Sequence, residues 1–237
     1  MKARALEGRV VAVTGAGGSL GPVVARRLAP TGSHLCLCGR DRAPLDALVD
    51  EIGGTARADV VDLLDQSATT AWADELVTRD GGVDALIHLV GGWRGGTAIE
   101  ASPQEDWELL HDLLVRTTQN VTRAFATHLL SSGHGRFVIV STGQAQAPTH
   151  TNAAYAAAKA AAETWTLALA DRFRGTGATA NIVVVGAIVT PAMRAESPDK
   201  DFSTFTPAEQ IAEAIAYLCS DEAASMNGQR LTLRGAA

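Results

Sequence analysis

Short apolar, β-branched runs recur along this chain, and a stretch with helical spacing follows almost every one of them. The strand-like runs are RVVAVTG (9–15), HLCLCG (34–39), TARADV (55–60), VDALIHLV (83–90), GRFVIVST (135–142), TANIVVVG (179–186) and QRLTL (229–233). Helical patterns lie between them, over 19–30, 42–52, 66–79, 104–131, 152–174 and 207–219. Such alternation builds a parallel sheet, because each helix returns the chain to the edge where the next strand begins. The strands are apolar on both faces, as strands covered by helices on both sides must be. The expectation is one α/β domain over 1–237, a doubly wound parallel sheet of about seven strands. No linker, repeat or low-complexity tract interrupts it, and Gly53-Gly54 and Gly81-Gly82 read as turns.

Composition narrows the partners. A net charge of -6, with 19% charged and 46% apolar residues, gives no basic surface for nucleic acid or for an anionic membrane. No run approaches the ~18 apolar residues of a membrane span. The N-terminal MKARALEGRVVAV lacks the pattern of a signal peptide. A cytoplasmic protein is expected, acting on a small molecule. Cys36 and Cys38 alternate along one strand and share a face. With no further ligands nearby they read as core thiols rather than a metal pair.

Two motifs carry chemistry. VAVTGAGGSLGPVVARRLA sets a glycine-rich turn between the first strand and a helix. Backbone N–H groups around Gly15, Gly17, Ser19, Leu20 and Gly21 can there hold a pyrophosphate. In YAAAK, Tyr155 and Lys159 lie one turn apart on a single helical face. A nearby ammonium favours the phenolate, so the pair reads as a proton donor for carbonyl or imine chemistry.

With both motifs present, the chain resembles the short-chain dehydrogenase/reductase family along nearly its whole length, which implies a Rossmann-type fold. Thr14, Gly15 and Gly21 match the family's T-G-x-x-x-G-x-G signature, with Ser19 at its middle glycine. ARADVVD resembles the adenine-side segment and implies Asp59 and Val60 as cofactor contacts. HLVG, ending at Gly91, replaces the usual N-N-A-G, and His88 is expected to be structural there. VVVGAIVTPAM keeps Gly186, Thr190 and Pro191, with Val185 for the usual proline; the resemblance implies that Thr190 holds the nicotinamide carboxamide. It also implies that Lys159 binds the nicotinamide ribose, and that a homodimer or homotetramer forms through 104–131 and 152–174.

The match departs at two catalytic positions. The serine expected thirteen residues before Tyr155 is Thr142, a candidate to orient substrate; Ser141 should point the other way. The usual helix asparagine is Leu114, which is expected to remove the helix distortion and water relay that go with it. GGWRGG and DFSTFTP resemble segments of dihydropteridine reductases, which manage without the serine. Trp93 then becomes a candidate wall for a planar substrate, with 192–206 the loop beside it. At the end of the second strand, Gly39-Arg40 replaces the acid that favours NAD, so NADP(H) is preferred and NAD(H) possible. The expectation is an NADP(H)-dependent reductase of a small carbonyl or conjugated imine. A non-catalytic cofactor-binding protein, or a lyase or isomerase on the same scaffold, is the alternative.

Overall fold

The computed structural model describes residues 5–233. Seven parallel strands form the main sheet: β1 Val10–Thr14, β2 His34–Gly39, β3 Arg57–Val60, β4 Ala85–His88, β5 Arg136–Thr142, β6 Thr179–Val185 and β9 Arg230–Thr232. Their order is β3-β2-β1-β4-β5-β6-β9. β7 Ile188–Val189 and β8 Thr206–Pro207 pair separately as a short ladder. From β1 the chain moves outward to β2 and β3, then crosses back to β4 on β1's other side. The strand order reverses at that point, and a crevice opens beyond the carboxyl ends of β1 and β4.

Helices cover both faces because the strands are apolar on both. On one face Ala12, Cys38, Leu86 and Ile139 meet α3 (Gln66–Asp80), α5 (Thr117–Ser131) and α6 (Ala153–Arg172) through Trp72, Phe125 and Leu169. On the other, Val11, Leu37, Ile87 and Val183 meet α1 (Gly21–Leu28), α2 (Arg42–Ile52) and α8 (Ala208–Cys219) through Val24, Leu45 and Ile215. Cys36 and Cys38 lie together in the first of these cores, as their alternation predicts, and burial raises both thiols, Cys36 to about 12.

The stretch 104–131 is not one regular helix. α4 (Gln104–Leu110) passes into a π-helical turn at His111–Arg116 before α5 begins. Leu114 therefore does not remove the helix distortion, contrary to the expectation from sequence. The Thr117 N–H reaches five residues back to the Asp112 carbonyl. The Thr117 and Thr118 hydroxyls donate to the Leu113 and Leu114 carbonyls at 2.6 and 2.7 Å. Such back-bonding threonines bend helices. Leu110 just before the turn, and Leu114 and Val115 on it, pack against Ala158 of α6, so apolar packing holds the shape that an asparagine marks elsewhere.

Candidate active site

The crevice is lined by the turn after β1, the end of β2, residues 61–64 after β3, residues 89–91 after β4, Leu113 from the π turn and Thr117 at the start of α5. It encloses about 250 Å³. Glycine is required in its floor. Gly15 has φ +72°, and a Cβ there would lie 2.9 Å from the backbone of Leu89 and Val90. A Cβ on Gly21 would lie 2.3 Å from the Ala16 carbonyl oxygen. These two contacts fix the loop against β4 and against its own start. No side chain caps the N-terminus of α1, where Pro22 occupies the first turn, so its free N–H groups remain available to an anion.

Of the residues singled out from sequence, Gly15, Gly17, Arg40 and Gly91 line the crevice. Ser19, Leu20 and Gly21 continue the same loop into α1. Arg40 is exposed, and its guanidinium makes no ion pair or hydrogen bond among the described residues. Its neighbour Arg42 is tied to Asp46 and to the Ala58 carbonyl.

Asp59 and Val60 are misplaced by the sequence reading. Asp59 lies within β3, with its carboxylate held by Trp72 Nε1 at 3.0 Å and by Arg57 and Arg79 at 3.4 Å. It is spent on the fold, and neither it nor Val60 lines the crevice. Asp62 and Leu63 stand there instead. Both pairs are an acid followed by an apolar residue, and the start of α3 decides between them. Asp65 caps α3 by accepting from the N–H groups of Ser67 and Ala68, which places 61–64 in the turn. Asn120 of α5 secures that turn by donating to the Leu63 and Leu64 carbonyls. Asp41, Pro44, Leu113 and Thr117 also line the crevice and carry no sequence motif.

The other candidates sit beyond the carboxyl ends of β5 and β6, outside the crevice lining. Thr142 ends β5, buried, and its hydroxyl oxygen accepts the Gln144 N–H at 3.3 Å. Ser141 is buried too, and its hydroxyl has no partner among the described residues. Gly186 follows β6 and is exposed; Thr190 is buried and caps the short α7 (Pro191–Glu196), accepting from the Met193 N–H. Segment 192–206 thus begins as a helical turn and closes through the β7–β8 ladder. Trp93 is 56% exposed and lies against Gly95 rather than in the crevice.

Tyr155 and Lys159 lie in the first and second turns of α6, beside the end of β5. The Lys159 ammonium donates to the Val140 carbonyl at 2.8 Å. Burial pulls its pKa from 10.5 to about 8, with Glu163 opposing. Some of its surface stays accessible, so water softens that penalty. Burial raises the Tyr155 phenol above 10. The sequence expectation of a phenol acidified by Lys159 is therefore unmet in this state: the ammonium is turned to β5.

His88 is structural, as expected from sequence. It is buried at the end of β4, with Nδ1 2.7 Å from the Thr14 hydroxyl and Nε2 3.1 Å from the Thr117 hydroxyl. Thr117 already donates to the Leu113 carbonyl, so it must accept from His88. The imidazole thus carries its proton on Nε2 and takes the Thr14 proton at Nδ1. Burial, and secondarily the Lys159 charge, lower its pKa to about 3. The neutral ring bridges β1, β4 and the π turn beneath the crevice.

Comparison with known proteins agrees with this geometry. Residues 9–201 match the short chain dehydrogenase family model. The 3-oxoacyl-(acyl-carrier-protein) reductase FabG of Escherichia coli (strain K12) is 26% identical over 237 residues, covering 97% of each chain. The 2,3-dihydro-2,3-dihydroxybenzoate dehydrogenase of Bacillus subtilis (strain 168) is also 26% identical, over 258 residues, covering all of this chain and 98% of that one. A short-chain type dehydrogenase/reductase from Mycobacterium ulcerans shares the fold with a TM-score of 0.88 at 24% identity, over 96% of this chain and 89% of that one. The chain belongs to the short chain dehydrogenase family, oxidoreductases that use NAD(P)(H) on small molecules.

Proposed function

We propose that the protein is an NADP(H)-dependent reductase of a small carbonyl or conjugated imine compound, with the whole chain acting as one cofactor-binding domain in the cytoplasm as a homodimer or homotetramer. The observation that carries the reading is the joining of two features at one sheet edge. A crevice with a glycine floor and an open helix N-terminus lies at β1 and β4, and the Tyr155–Lys159 face of α6 lies at the end of β5.

The residues fit a nicotinamide dinucleotide. The loop from Gly15 through Gly17, Ser19 and Leu20 to Gly21 offers N–H groups where any Cβ at 15 or 21 would collide with backbone. Asp62 and the turn behind it, rather than Asp59 and Val60, suit the adenine. Gly39 brings no carboxylate to the end of β2, and the unpaired Arg40 guanidinium suits a 2′-phosphate better than a bare ribose. Gly91 and Gly186 keep the ends of β4 and β6 open, and Thr190 has a hydroxyl proton to give a carboxamide. When bound, the cofactor supplies the hydride. Tyr155 delivers a proton to the substrate oxygen or nitrogen. Lys159, once it leaves the Val140 carbonyl, holds ribose hydroxyls and lowers the phenol's pKa. Thr142 orients the substrate.

Trp93 offers a flat, solvent-open face, which with the DFSTFTP segment suits a planar substrate of the quinonoid dihydropterin kind. Such a compound accepts hydride readily and needs little acid help, in keeping with Leu114 and Thr142. The test is NADPH and NADH consumption over a panel of quinonoid pterins, diketones and imines, with Tyr155→Phe as the control. The expected result is turnover with NADPH that the variant loses by ~10²–10⁴-fold on the diketones and imines, the range of general acid catalysis, and by only several-fold on a quinonoid pterin that needs little acid help. Tight NADPH binding with no turnover across the panel favours the non-catalytic reading. Turnover without nicotinamide oxidation favours a lyase or isomerase.

A further inference from the structure

One buried carboxylate near Lys159 has no part in the reaction described above. Glu163 lies one helical turn beyond Lys159 on α6, two beyond Tyr155, so the three side chains share a face. It is 4% exposed. Arg230 of β9 pairs with its Oε2 at 2.8 Å, while Oε1 is buried with no hydrogen-bond partner among the described residues. An ionised carboxylate in such a place is costly unless positive charge lies around it. Arg230 meets one oxygen, and the nearest further cation along the helix face is Lys159.

We propose that Glu163 is a positioning residue for the reductase site: its buried charge, set by Arg230, holds Lys159 in the ammonium form. This rests on the reading of Lys159 as the group that binds ribose and acidifies Tyr155. Both duties need the ammonium, since a neutral amine neither attracts the phenolate nor donates three hydrogen bonds. Burial works against that form, and Glu163 is the charge that works for it. The other ionisable groups around α6 do not substitute. His88 on β4 is neutral, Tyr155 is a neutral phenol at working pH, and Arg123 of α5 stacks over Trp165 further along the helix.

The sequence holds only three lysines, Lys2, Lys159 and Lys200, which makes a direct test simple. Protein labelled with ¹³C at lysine Cε is titrated by NMR without cofactor, and Lys159→Met assigns the resonance. An opposite charge one turn away, without direct contact, is worth ~1 pH unit, the low end of such shifts. Glu163→Gln should lower the Lys159 midpoint by about that much and move the basic limb of NADPH turnover down with it. Arg230→Gln removes the cation that keeps the buried carboxylate ionised, so it should lower the midpoint in the same direction, and this variant serves if the first fails to fold. A Lys159 midpoint unchanged in the folded variant overturns the proposal. A midpoint that moves in a protein with no turnover leaves the electrostatic role intact and removes the reductase reading instead, so the two failures are distinguishable.

Discussion

His88 links the phosphate loop's strand to the π turn, and replacing it with leucine should produce a stability loss that disappears on acidification. At pH 8 the variant lacks the acceptor for the Thr14 hydroxyl, whose other contact, the Ile87 carbonyl at 3.5 Å, is weak. It also lacks the donor to Thr117. An unsatisfied buried polar group costs about 1–3 kcal/mol. Thr14 loses its main partner while Thr117 keeps its bond to Leu113, so about 2–3 kcal/mol in total is expected. The acid arm follows from the lowered pKa. In the unfolded chain the imidazole protonates near 6.5, whereas in the folded protein it resists until about 3. The unfolded state therefore binds the extra proton between those values, and wild-type stability falls as pH drops through that window. From pH 8 to 4.5 the loss is two pH units at 1.36 kcal/mol each, about 2.7 kcal/mol. Leucine does not titrate, so the variant escapes this loss.

Urea denaturation of both proteins at several pH values between 4.5 and 8 measures the gap directly, since every other titrating group cancels in the difference. The gap should shrink from about 2–3 kcal/mol at pH 8 to near zero at pH 4.5. A constant gap would refute the neutral, doubly bonded imidazole. A gap that widens on acidification would mean that His88 is charged in the folded state.

If Arg40 holds the 2′-phosphate as proposed, Arg40→Ala removes a charge-assisted contact worth about 1.5–3 kcal/mol, so NADPH affinity should fall roughly 10- to 150-fold, with NADH affinity nearly unchanged by calorimetry. Equal effects on both cofactors would rule out the 2′-phosphate assignment. Asp62→Ala should weaken either cofactor several-fold with little change in melting temperature, because Asp62 is exposed in the crevice. Asp59→Ala should do the opposite, since its carboxylate meets Trp72, Arg57 and Arg79. The reverse pattern would restore the Asp59–Val60 assignment.

The sheet was legible because nothing but double coverage explains strands such as VVAVT and TANIVVV, apolar on both faces. Gly15 and Gly21 were legible because the backbone leaves no room for a Cβ, and so no latitude in the sequence. The acid after β3 that lines the crevice was not. Acid-plus-apolar recurs at 59 and 62, and only Asp65's cap on α3 fixes where β3 ends. The π turn was hidden because one widened turn barely disturbs a helical hydrophobic pattern. The threonines that hold it look like ordinary helix residues. Glu163 and Arg230 carry no local signal at all, because their pairing exists only once β9 docks beside β6.

The pair on α6 raises a last question, since the phenol proposed as proton donor has yet to be acidified. Burial holds the Tyr155 phenol above 10, and the Lys159 ammonium is engaged with the Val140 carbonyl. A phenol in that condition keeps its proton through neutral pH but yields it poorly. Under the proposed function, activation requires Lys159 to exchange the Val140 carbonyl for ribose hydroxyls near Tyr155, which would tie acid strength to cofactor occupancy. Only two tyrosines are present, Tyr155 and Tyr217, so tyrosinate absorbance resolves the matter, with Tyr155→Phe identifying the step. Without cofactor, the Tyr155 step should lie above 10. With saturating oxidised NADP it should fall by ~1–3 pH units, the effect of an adjacent opposite charge, and Lys159→Met should abolish that fall. A Tyr155 step already well below 10 in the free protein would show that Lys159 acidifies it without help.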